Sequence, residues 1–193
     1  MRLFYCLELP APIQAELDRI VQPLRLAEAR VTWVRPENFH VTVKFLGEVT
    51  PTAVDALKAL GTQIAPLFHK FELTFDTVGA FPSKQRPRVL WIGCRQTPQA
   101  IFALQGQLER ELTKMGFEAE RRFSPHVTVG RVKDEHASRL AQFSKIISQI
   151  KPFESRAPIA SLTLMESQLS PGGAMYTPVA TWELRSSPPA PLP

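Results

Sequence analysis

Phe39-His40-Val41-Thr42-Val43-Lys44-Phe45-Leu46 and Pro125-His126-Val127-Thr128-Val129-Gly130-Arg131-Val132 carry the same tetrapeptide, His-Val-Thr-Val. Both stretches are rich in β-branched residues, so each reads as a strand. Side chains alternate between the faces of a strand. His40 therefore shares a face with Thr42, and His126 with Thr128, while the valines point the other way. In the first copy, alternation groups Phe39, Val41, Val43 and Phe45 on a packed face and His40, Thr42 and Lys44 on a polar one. One such tetrapeptide is weak evidence. Two identical ones suggest a duplicated unit that presents two imidazoles.

Upstream of the first copy, residues 2–8 read as a strand. Ile13, Leu17, Ile20, Val21 and Leu24 then give a helical stripe over residues 11–27. Residues 31–35 read as a second strand and 36–38 as a turn. Gly47 ends the first His strand, and Thr50-Pro51 opens a helix whose stripe is Val54, Leu57, Leu60, Ile64 and Leu67. Residues 71–78 alternate as a strand, 79–88 read as a loop or hairpin connection, and 89–92 as an apolar strand. Thr97-Pro98 repeats the helix-start signal, with Ile101, Leu104, Leu108, Leu112 and Met115 filling the helix and Gly116 just past its end.

After the second His strand, Asp134 is a candidate N-cap for a last helix carrying Leu140, Phe143, Ile146, Ile147 and Ile150. Strand patterns over 153–165 and 175–184 close the chain, with a turn at Ser170-Pro171-Gly172-Gly173. These elements imply an α+β fold of two lobes, antiparallel sheets with outer helices, whose polar faces line a central cleft. No linker separates the halves, so residues 1–185 are expected to form a single bilobal domain, and the Pro-rich tail 186–193 to be disordered.

The 193 residues, 44% hydrophobic and 21% charged, suit a globular protein. No apolar run is long enough to cross a bilayer, and the start lacks a secretory core, so a cytoplasmic location is expected and no membrane association. Cys6 and Cys94 are too few for a disulfide framework and read as buried, reduced thiols. A formal charge of +5 favours an anionic partner such as nucleic acid or a phosphorylated small molecule. Gly-x-Ser-x-Gly, Walker and dinucleotide glycine motifs are all missing, which disfavours those chemistries. So are Cys-x-x-Cys and His-Glu-x-x-His, and no metal and no other cofactor is expected. His69 and His136 stand outside the repeat and suit surface roles.

An imidazole exchanges protons near neutrality, with an ordinary pKa of about 6.5. Two of them across a cleft can serve as base and acid in one displacement. Threonine hydroxyls beside them can donate to phosphate oxygens. A strained five-membered cyclic phosphodiester is activated enough to need no metal. Arg131, five residues after His126, and Lys44, four after His40, are candidate cations for the charge of the transition state.

The sequence resembles the two-histidine phosphoesterases, and among them the bacterial and archaeal RNA 2′,3′-cyclic phosphodiesterases, also called 2′-5′ RNA ligases. The resemblance runs in order from about residue 2 to 184. It rests on Arg35-Pro36-Glu37-Asn38 with the first His strand through Gly47, on Gly79-Ala80-Phe81-Pro82, and on Arg86 to Trp91. It continues with Arg122-Phe123-Ser124-Pro125 and the second His strand through Arg131, then Ser167 and Gly172 to Tyr176.

The resemblance implies two pseudo-symmetric lobes around a basic cleft. It implies metal-independent hydrolysis of RNA 2′,3′-cyclic phosphate ends to 2′-phosphates, with 2′-5′ ligation to 5′-OH RNA as a related activity. His40 is expected to act as general acid and His126 as general base, although near-symmetry allows the reverse. Thr42, Thr128 and Arg131 would bind substrate. Phe45 matches an aromatic position near the nucleotide, whereas alternation puts it in the core; both readings stand. Arg35, Arg86, Arg88, Arg121 and Arg122 are candidates for steering RNA. The rival functions are a phosphodiesterase for small cyclic nucleotides or 2′-5′ oligoadenylate, and a non-catalytic RNA-binding module. A monomer is expected.

Overall fold

A computed structural model describes residues 1–120, 122–170 and 173–186. Arg121, Pro171 and Gly172 of the expected 170–173 turn, and the tail from residue 187 lie outside the described residues. The elements run β1 (Arg2–Glu8), α1 (Ala11–Val21), β2 (Val31–Trp33), β3 (His40–Glu48), α2 (Pro51–Ile64), β4 (Phe71–Phe75) and β5 (Thr77–Pro82). They continue with β6 (Pro87–Gly93), α3 (Gln99–Lys114), β7 (His126–Val132), α4 (Ala137–Gln149), β8 (Ser155–Ile159), β9 (Ser161–Ser170) and β10 (Gly173–Glu183).

The α+β class is as expected. An eight-stranded sheet has the order β10-β9-β1-β3-β7-β6-β5, with β2 also on β7, and β4 pairs with β8 as a separate two-stranded sheet. All the pairings between these strands are antiparallel. The two His strands, β3 and β7, sit at the middle and meet at the register pair Val41↔Val127. On one side of that seam stand β1, β9 and β10; on the other stand β6, β5 and β2. Each half of the chain thus sends strands across. β5 from the first half completes the second half's sheet, and β9 and β10 from the second half complete the first's.

Helix stripes bury against this sheet. Leu17 of α1, Leu57 of α2, Leu104 and Leu108 of α3 and Phe143 of α4 are fully buried with Tyr5, Phe39 and Phe75. The Tyr5 hydroxyl, sealed in the core, donates to the Leu57 carbonyl at 2.6 Å. That bond removes the cost of burying the phenol unpaired.

Several expected boundaries move for local reasons. Pro23 lacks the N–H an α-helix needs, so α1 stops at Val21 and a 3₁₀ turn, Gln22–Leu26, follows. The 71–78 pattern is two strands in different sheets, parted at Asp76, and 79–88 is part of the β5–β6 hairpin. The 153–165 pattern likewise splits into β8 and β9. Leu67 is exposed, because α2 has already given way to a 3₁₀ turn. Pro98, not Thr97, precedes the first turn of α3. Gly116 has φ +91° where α3 ends, a conformation open to glycine. Asp134 is not the N-cap of α4, which is His136. Its buried carboxylate instead accepts from the Arg30 and His136 backbone N–H groups at 3.0 and 2.9 Å. Those bonds hold its pKa below the ordinary carboxylate range.

Among the described residues, no helix is long and apolar enough to cross a membrane.

Candidate active site

Each candidate histidine is held by the backbone two residues before it. Nδ1 of His40 lies 2.7 Å from the Asn38 carbonyl, and Nδ1 of His126 lies 2.7 Å from the Ser124 carbonyl. A carbonyl can only accept, so Nδ1 carries a proton in both rings and Nε2 is left for chemistry. Nε2 of His40 sits 3.2 Å from Thr42 Oγ1. The sequence repeat has become a repeated tautomer lock.

Aromatic rings back both imidazoles. His40 stacks on Phe4 at 5.0 Å between centroids and meets the edge of Tyr176 at 5.1 Å. His126 meets Phe81 edge-on at 5.1 Å, with Trp91 at 6.4 Å. These rings take water away, and desolvation lowers both pKa values. His40 is brought to about 4, mainly by burial and further by the charges of His126 and Arg131. His126 is lowered by burial and by Arg131.

A cleft of about 100 Å³, open to solvent, runs beside His40. Thr42, Phe45, Thr128, Arg131, Ser167 and Tyr176 are among its lining residues. His126 is not, but it lies on the cleft-facing side of β7, two residues before Thr128.

Two bulges decide what else faces the cleft. In β3, Cys6 pairs with Thr42 and Tyr5 with Lys44, so Val43 is an extra residue. In β7, Trp91 pairs with Thr128 and Leu90 with Gly130, so Val129 is extra in the same place. An extra residue reverses the alternation beyond it. Phe45 therefore turns out of the core and into the cleft, 46% exposed. Arg131, also five residues after its histidine, turns into the cleft in the same way. This corrects the alternation that had placed Phe45 with Val41 and Val43.

The same reversal removes Lys44 from the list of phosphate-facing cations. Its side chain is buried, with Nζ 2.8 Å from Glu109 Oε1 and 2.6 Å from the Glu118 carbonyl.

Arg2, Phe4 and Val34 also line the cleft and escaped the sequence reading. Arg2 lies over the Phe45 ring at 4.9 Å. Strict alternation does put Arg2 and Phe4 on one face of β1, a signal that was there to be used. Of the other arginines, Arg35 lines a neighbouring cavity with Arg131, and Arg88 lines a shallow groove with Arg131. Arg122 is exposed, and Arg86 sits at the β5–β6 hairpin. Cys6 and Cys94 are free thiols, both with pKa raised mainly by burial, which makes them poor nucleophiles. Among the described residues, no three His, Cys, Asp or Glu side chains form a metal-binding group.

A family model described as LigT like Phosphoesterase matches residues 7–91 and, a second time, residues 92–176. The chain belongs to this LigT-like phosphoesterase family. The double match agrees with the repeated lock and the repeated bulge. A relative from Methanothermobacter thermautotrophicus, named RNA 2′,3′-cyclic phosphodiesterase, is 31% identical over 95% of this chain and 99% of its own. The Escherichia coli protein of the same name is 31% identical over 95% of this chain and 96% of its own.

Solved structures agree with the LigT-like fold. Escherichia coli LigT in complex with 3′-AMP superposes with a TM-score of 0.75 at 29% identity, covering 95% of this chain and 97% of that one. A Thermus thermophilus protein superposes with a TM-score of 0.81 at 26% identity, covering 96% and 99%.

Proposed function

We propose that this LigT-like phosphoesterase hydrolyses 2′,3′-cyclic phosphate ends of RNA to 2′-phosphates by two-histidine acid–base catalysis. The observation that carries the reading is the pair of imidazoles on the two central strands, each with Nδ1 locked on a carbonyl, which leaves Nε2 as the nitrogen that exchanges protons. The names of the relatives support the substrate class.

In this reading, water attacks phosphorus and His126 Nε2 takes its proton. The P–O3′ bond breaks, and His40 Nε2 delivers a proton to O3′. Phosphorus stays on O2′, leaving a 2′-phosphate and a 3′-OH. If the 5′-OH of another RNA replaces water, the same steps give a 2′-5′ linkage. Thr42 and Thr128 donate to the non-bridging oxygens, Arg131 neutralises their charge, and Phe45 stacks on the base. His126 is taken as the base because it is the less desolvated ring. His40, depressed to about 4 in the free site, gains its proton as the phosphate anion enters. The setting proposed is a cytoplasmic monomer acting on RNA, and the unpaired thiols suit a reducing compartment.

The swapped assignment has one observation in its favour, since the more strongly depressed ring is the readier base. Sulfur substitution at the leaving group separates the two, because a thiolate leaves without a proton. With a 3′-S-bridged cyclic substrate, His40→Ala should regain activity and His126→Ala should not. Rescue of His126→Ala alone would reverse the roles. With ordinary RNA 2′,3′-cyclic phosphate in the presence of chelator, each variant should fall by about 10²-fold or more. Retained turnover in both would sink the mechanism, and a 3′-phosphate product would refute the regiochemistry.

A further inference from the structure

Beside the catalytic cleft lies a second cavity, of about 270 Å³, that shares Val34, Arg131 and Tyr176 with it. We propose that this second cavity binds the nucleotide that precedes the cyclic-phosphate nucleotide in an RNA strand. The assignment rests on the phosphodiesterase reading and deepens it.

Three observations carry it. The cavity is continuous with the cleft across those shared residues, so one ligand can occupy both. Its lining mixes cations with an exposed apolar surface. Arg35 and Arg131 offer positive charge, Met175 is a large side chain left 59% exposed, and Tyr176 presents an aromatic ring already in contact with His40. Cations that track a backbone beside apolar faces that receive bases are the makings of a single-strand site. Among the described lining residues, Glu37 is the one acid, against two arginines, so the balance still favours an anion.

The third observation gives the strand its direction. Asn38 lines the second cavity and also holds His40 through its carbonyl, 2.7 Å from Nδ1. O3′ leaves at His40, so the ribose that owns O3′ lies on this side of the cleft. Its 5′-phosphodiester then continues toward Arg131 and Arg35. The incoming nucleophile is at His126, which does not line the second cavity. The cavity therefore fits the upstream part of the cleaved strand and not the 5′-OH acceptor.

The test compares a mononucleotide carrying a 2′-phosphate with a dinucleotide ending in a 2′-phosphate. Calorimetric titration of the wild type should show the dinucleotide bound about tenfold tighter, the worth of one added base contact. Arg35→Ala and Met175→Ala should each lose most of that difference and keep the mononucleotide affinity. Hydrolysis of the matching cyclic phosphates should follow the same pattern in kcat/KM. Equal affinity of the wild type for the two ligands would overturn the assignment. So would equal losses on both ligands in the variants, which would place their effect in the catalytic cleft. A wild type that binds the dinucleotide more tightly in this Arg35-dependent way, yet hydrolyses neither cyclic phosphate, would leave the cavity assigned and remove the phosphodiesterase reading.

Discussion

Lys44 Nζ lies 2.8 Å from Glu109 Oε1, and this pair ties the strand of His40 to the segment that leads into the strand of His126. Glu109 Oε1 also accepts from the Glu120 backbone N–H at 2.7 Å, and Lys44 donates to the Glu118 carbonyl at 2.6 Å. Gln105 donates to the other Glu109 oxygen at 3.0 Å. A half-buried carboxylate stripped of its ammonium is costly. Lys44→Met should lower stability by about 2–3 kcal/mol, toward the low end because Glu109 keeps some solvent. Urea unfolding reads this directly, and pairing Lys44→Met with Glu109→Leu should restore part of the loss. Unchanged stability in the single variant would mean that the pair anchors nothing.

The pH profile follows from the sign of the histidine shifts. Burial disfavours the imidazolium, so both pKa values fall below the ordinary value, His40 to about 4. The state with one proton between the two rings is then populated on the acid side of neutrality in the free protein. A bound phosphate anion favours the imidazolium and moves both values up. Activity should be bell-shaped, with kcat/KM peaking below about pH 6.5 and the kcat profile displaced to higher pH. A kcat/KM that climbs steadily through neutrality would contradict the two-histidine scheme.

Phe45 offers a separation of binding from folding. It is 46% exposed, so Phe45→Ala should change stability by no more than about 0.5 kcal/mol. Loss of one stacking surface should raise KM about tenfold with kcat little altered, and Phe45→Tyr should keep the wild-type values. Steady-state kinetics on a cyclic nucleotide would show it. A large stability loss in Phe45→Ala would return this ring to the core.

Gly79 makes room for the indole behind His126. A Cβ at this position would collide with Trp91 Cζ2, so Gly79→Ala must push the ring aside. The expected cost is about 1–3 kcal/mol, as for other overpacked sites. Because Trp91 packs near both Phe81 and His126, kcat should fall more than KM rises. Shrinking the ring with Trp91→Leu in the same protein should recover stability. Full activity in Gly79→Ala would show that the indole does not position His126.

The histidines, the threonines and the α+β class could be read from the chain because they depend on local alternation and on a repeated tetrapeptide. Phe45 and Lys44 could not. Their faces are set by a bulge at Val43 that exists only in the pairing of β3 with β1, and nothing in Phe39–Leu46 announces it. Arg131 was named from its nearness in sequence to His126 and from resemblance, while alternation alone sends it to the wrong face; the matching bulge at Val129 turns it back. The split of residues 71–78 at Asp76 is likewise decided by pairing: the first piece joins β8, far away in sequence, and the second joins its hairpin partner β6. Helix stripes were legible at their centres and failed at their ends, where Pro23 and the turn after Ile64 intervene.

The exchange of strands across the seam has a consequence for synthesis. β1 pairs with β9, whose first residue is Ser161, so the sheet that carries His40 is incomplete until nearly the whole chain has left the ribosome. Pairings this distant in sequence are slow to form and leave strand edges open meanwhile. A nascent fragment ending after β7 would hold both histidines and still lack the strand that closes the first lobe. Catalytic competence should therefore appear late and abruptly during translation, not in two steps as each lobe emerges.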